Sequence, residues 1–75
     1  MTQYRVQKHR SKKLATAINA CKPYIQQGVP AWVLPYKGDC VVCFGVYKDK
    51  ASAVKFKETL KTKYGITHCQ IVQED

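Results

Sequence analysis

Val6, Ala17 and Tyr24 find counterparts at Val42, Ala53 and Leu60, an offset of about 36 residues, and the glycines and closing strand patterns that follow recur one residue further on. A chain that repeats itself in this way is a diverged tandem duplication of one supersecondary unit. At 75 residues there is room for a single domain, residues 1–75, and one modest core. A chain this short buries only about 60% of the surface its unfolded form exposes, so the two halves must share that core.

Each half reads as strand, helix, strand. Tyr4-Arg5-Val6-Gln7 alternates apolar and polar residues as a half-buried strand does, and the basic loop Lys8-His9-Arg10-Ser11 leads into a helix with Ser11 as N-cap. Leu14, Ala17, Ile18 and Cys21 recur at helical spacing and predict the stripe that packs on a sheet. Pro23, without an amide hydrogen, ends, kinks or restarts that helix, and Gly28 supplies a stop. Val29 to Pro35 is rich in β-formers with prolines near both ends, which suits an edge strand, and Lys37-Gly38-Asp39 is the turn after it.

The second half opens on Cys40 to Tyr47, a nearly continuous apolar run that predicts a central strand. Asp49 caps a helix that directs Ala53, Phe56, Leu60 and Tyr64 inward, and Gly65 ends it. Ile66 to Val72 alternates again as the last strand, leaving Gln73-Glu74-Asp75 as a frayed acidic tail.

The order β-α-β-β-α-β predicts an α+β, ferredoxin-like domain: a four-stranded, mainly antiparallel sheet with both helices on one face. The face without helices is then the natural binding surface. Strand parity places Arg5, Gln7, Val41, Cys43, His68 and Gln70 there, and Tyr4 and Phe44 on the helix side. Trp32, matched with Cys69 in the repeat, is expected to point into the core.

Charge narrows the partners less than the fold does. Thirteen Lys and Arg face five Asp and Glu, a net charge of +8, which draws any polyanion and also keeps a small domain soluble. The four cysteines, at 21, 40, 43 and 69, read as separate thiols. Cys40 and Cys43 enclose Val41-Val42 within a strand, where their side chains point to opposite faces. A C-x-x-C inside a strand also lacks the turn of a zinc knuckle and the helix start of a redox motif, so neither metal nor cofactor is expected. No apolar stretch approaches the ~20 residues that span a bilayer, and membrane insertion is not expected.

The residues together resemble the SPOR (sporulation-related) domain, over nearly the whole chain. The resemblance rests on Tyr4-x-Val6-Gln7 in the first strand, Gly28-x-x-Ala31-Trp32-Val33 in mid-domain, Val42-x-x-Gly45-x-Tyr47 in the third strand, and Ala53 and Leu60 on the following helix. It implies a module that binds bacterial peptidoglycan, particularly glycan strands stripped of their stem peptides, through the uncovered sheet face. Such a module targets a cell-wall hydrolase or division protein and works in the cell wall or periplasm.

Catalysis is not expected, since no pair of acids stands close in sequence and no serine or cysteine lies in a nucleophile motif. The competing expectation is a small cytoplasmic protein, phage-encoded for example, that binds nucleic acid or inhibits a host protein. An RNA-binding sheet displays aromatics on its central strands, a pattern poorly met here, so nucleic acid would be held through phosphates by Lys and Arg. A protein partner added at the β edge around Ala31 to Leu34 is a third possibility. In each case the chain is expected to act as a monomer.

Overall fold

The computed structural model describes residues 1–75. Its elements are β1 (Gln3–Ser11), α1 (Leu14–Gln26), β2 (Trp32–Tyr36), β3 (Asp39–Tyr47), α2 (Lys50–Tyr64) and β4 (Gln70–Glu74). The strands form one antiparallel sheet in the order β2-β3-β1-β4. The two halves therefore interleave: β3 lies between β1 and β2, and β1 lies between β3 and β4. This is the α+β architecture that the duplication predicts.

One apolar cluster holds it together. Val6 of β1, Val42 and Phe44 of β3, Cys21 of α1, and Ala53 and Leu60 of α2 are buried against one another, with Ile66 and Cys69 sealing the end next to β4. Both helices therefore cover the same sheet face. Burying a Val, Leu or Phe side chain stabilises by about 1.5–3 kcal/mol, and this layer buries Val6, Val42, Phe44 and Leu60 almost completely.

Helix α2 starts and stops where its residues dictate. The Asp49 carboxylate accepts hydrogen bonds from the Ser52 amide at 2.8 Å and from the Ser52 hydroxyl at 3.0 Å, and Gly65 closes the helix at a left-handed φ of 70°. Helix α1 departs from expectation at its start, whereas Gly28, at a φ of 82°, follows its end as expected. Ser11 is not its N-cap but the last residue of a longer β1, because Lys8 and Ser11 pair with Val42 and Cys40 of β3. Lys13 takes the cap position without a side-chain bond, although its amide donates to Ser11 Oγ at 3.2 Å. Pro23 lies inside the helix, which continues to Gln26.

The helix is also turned relative to the expected stripe. Ala17 and Cys21 are buried, with Ala20 and Tyr24 packed on the core, whereas Leu14 and Ile18 stay exposed. The small side chains at 17 and 20 let the helix lie close to the sheet, and Tyr24 fills the space beyond them.

Two bulges shape β1 and β3. Val6 pairs with Gly45 and Gln7 with Cys43, so Phe44 is the extra residue between them. Both Phe44 and Gly45 consequently face the helices. A Cβ on Gly45 would come within 2.9 Å of the Tyr47 ring and 3.2 Å of Phe56, which accounts for glycine at this point. The second bulge adds a residue to β1 between Lys8 and Ser11, and His9 there has a φ of 61°.

The last strand begins later than its alternation suggests. Ile66 and Cys69, three residues apart, are both buried, which a continuous strand does not allow. His68 turns the chain with a φ of 63°, and β4 runs from Gln70 to Glu74. Glu74 is thus not part of a frayed tail: it pairs with Gln3 and its carboxylate meets Arg5 Nη2 at 2.9 Å.

Candidate functional site on the sheet face away from the helices

Register places Arg5, Gln7, Val41, Cys43 and Gln70 on the face away from the helices. Gln7 stands between Cys43 of β3 and Gln70 of β4, and Arg5 between Val46 and Val72. His68 belongs to no strand, yet the turn before β4 brings it to the same end of the sheet. Gln7, Val41, His68 and Gln70 line one small cavity of about 130 Å3, together with Lys8, His9 and Arg10 from the bulge. Arg5 lines a separate groove of about 390 Å3 with Tyr36, Lys37, Val72 and Glu74. Cys43 lines neither.

This face is not bare. Gln7 and Val41 are each 1% exposed and Cys43 is fully buried, although no helix lies above them. Trp32 and Leu34 of β2 pair with Cys43 and Val41 on this face, and cations gather around Tyr36 at its rim. The guanidiniums of Arg5 and Arg10 lie 5.7 and 5.2 Å from the centre of the Tyr36 ring, and the Lys37 ammonium lies 5.3 Å from it. Arg10 is anchored by the Asp39 carboxylate at 2.5 Å, as Arg5 is by Glu74. Of the residues assigned to this face from sequence, only His68 and Gln70 are freely exposed.

Trp32 corrects one sequence expectation. It pairs with Cys43, sits on the same side as Gln7, and is 39% exposed rather than packed in the core. The reason is that Ala31 and Val33 take the core positions, so alternation turns position 32 outward. Its repeat partner Cys69 is no guide, because Cys69 precedes β4 and lies outside the ladder. Tyr36 follows from Trp32 by the same alternation once the strand start is known.

Two buried polar atoms on this face have no hydrogen-bond partner, Gln7 Oε1 and Arg5 Nε. Such groups are normally paired, and each one left without a partner costs about 1–3 kcal/mol. The Gln7 oxygen needs a donor and the Arg5 nitrogen an acceptor.

The titratable groups nearby are tuned mainly by burial. Desolvation, with the Lys8 charge adding to it, lowers the pKa of His9, whose Nε2 lies 2.5 Å from Tyr24 Oη. The Tyr24 ring stands edge-on to Phe44 at 5.0 Å, so the bulge residue is tied to the core on the helix side. Burial raises the Cys43 thiol, which is held protonated and donates to the Gly45 carbonyl at 3.6 Å. All four cysteines are free, and no group of three or more His, Cys, Asp or Glu side chains is placed to hold a metal ion. No helix is long and apolar enough to cross a membrane.

Comparisons with protein-family models, curated proteins and solved structures returned no match to this chain, so its likeness to the SPOR domain rests on the residues quoted for it.

Proposed function

We propose that this chain is a non-catalytic module that binds peptidoglycan glycan strands on the sheet face away from the helices. The observation that carries this reading is the buried Gln7 carboxamide, its oxygen unpartnered, in a cavity beside Gln70 and His68. Sugar hydroxyls and acetamido N–H groups are the donors such an oxygen lacks. Trp32, half-open on the same face, offers an apolar surface to a sugar ring. The resemblance to the SPOR domain is in keeping with the reading, since Gln7 belongs to the first-strand motif that carries it. A module of this kind targets an exported hydrolase or division protein to the cell wall.

The test is co-sedimentation with purified sacculi, before and after amidase removal of stem peptides, at low and at physiological salt. Retention is expected to rise on denuded glycan, to persist in salt, and to be lost in Gln7→Leu. Retention that salt abolishes would support a second reading, an intracellular binder of nucleic acid or of a host protein. That alternative is favoured by one specific observation: both ion pairs in the molecule use arginine, so no lysine is neutralised by a carboxylate and their charge is left to attract a polyanion.

A further inference from the structure

A second cavity, of about 440 Å3, lies between α2 and the segment that precedes β4, away from Trp32 and Tyr36. Lys57 and Lys61, one turn apart on α2, form one wall, and Thr67 and His68 form the other. Ile66 and Cys69 provide an apolar floor, both nearly buried. Glu58 is the one acid on the rim, and it forms no ion pair. Lys8 reaches in from β1 and donates to the Thr67 carbonyl, which braces the second wall.

We propose that this cavity is a binding site for a phosphate ester. The lysines approach from two elements: Lys57 from α2 and Lys8 from β1 both lie close enough to act on the Cys69 thiol with their positive charge, although burial dominates and raises its pKa. Their fields therefore meet at the cavity floor. Lys61, the Thr67 hydroxyl and the His68 ring add donors around the same space, and Thr67 Oγ1 already stands 2.9 Å from His68 Nδ1. Lysine is a common point-charge ligand for phosphate, and none of these ammonium groups is neutralised by a carboxylate.

The volume indicates an ester rather than a bare anion. It falls within the ~300–1,000 Å3 typical of small-molecule sites, with space beside the charged group for an organic portion over Ile66 and Cys69. The site goes beyond the glycan reading: it borders the Gln7 cavity at His68, but its lysine wall on α2 takes no part there.

The test is a 15N–1H NMR titration of the intact chain with glycerol 3-phosphate and, separately, with inorganic phosphate, at constant ionic strength. Saturable shifts are expected at the amides of residues 57–61 and 66–69, with glycerol 3-phosphate the tighter ligand. The double variant Lys57→Gln/Lys61→Gln should weaken binding about tenfold or more. Lys12→Gln/Lys13→Gln, which removes the same charge elsewhere, should leave binding unchanged. Linear shifts that never saturate, or equal losses in the two lysine pairs, would overturn the site in favour of nonspecific charge attraction. Equal affinity for inorganic phosphate would overturn the ester.

Discussion

The two faces of the sheet bury their central side chains equally well, one beneath helices and the other without them. On the helix side, Val6, Val42 and Phe44 are covered by two helices and present only carbon to one another. On the other side, Gln7, Val41 and Cys43 are just as inaccessible with no helix above them, and arginine, lysine and tyrosine side chains gather at the rim. The first face is complete as it stands. The second keeps a buried donor and a buried acceptor without partners. Equal depth of burial thus accompanies complete hydrogen bonding on one face and incomplete hydrogen bonding on the other.

The strongest way to break this contrast is a pair of substitutions, one on each face, followed by urea unfolding. Phe44→Ala removes a ring that is 1% exposed and edge-on to Tyr24, and is expected to destabilise by about 3–5 kcal/mol. Gln7→Leu, at the same depth, is expected to leave stability unchanged or raise it by about 1 kcal/mol, because it removes an acceptor that has no partner. Comparable losses from both would show that the faces are equivalent packing layers. The contrast would then fail.

The smallest effect lies at the seam. The second bulge sends His9 toward Tyr24 on the helix side and Arg10 toward Asp39 on the other. Because the folded protein lowers the His9 pKa below 6.5, the unfolded chain binds the proton more readily. The associated stability is fully present above pH 6.5 and declines as pH falls through the folded value. Thermal melts between pH 7.5 and 5 should show this slope, and His9→Gln should flatten it. An unchanged slope would remove His9 from the helix-side layer.

How much of this was legible in the sequence depended on whether the signal was local. Asp49 and Gly65 bound α2 through bonds and dihedrals that involve only nearby residues, so their roles could be read directly. The interleaved fold followed from the duplication. The bulges could not be read: an extra residue at Phe44 or His9 becomes visible only against the partner strand, and it shifts everything beyond it. The repeat match with Cys69 misplaces Trp32, because Cys69 precedes β4 and its direction does not follow the strand alternation that turns position 32 outward. Parity correctly placed Gln7 and Gln70 on the same side, but it carries no information on the Arg5, Arg10 and Tyr36 layer, whose long side chains reach across several positions.

The interleaved strand order also constrains how the chain folds. β1 is synthesised first, but its neighbours are β3 and β4, and β4 is the last element. The N-terminal half on its own has no adjacent pair of strands, because β3 must fill the gap between β1 and β2. During synthesis Val6 and its neighbours therefore wait without a ladder until residues beyond Asp39 have emerged, and the edge of β1 stays open until Gln70–Glu74 arrives. Such long-range pairing slows folding and exposes an unpaired edge while it does so.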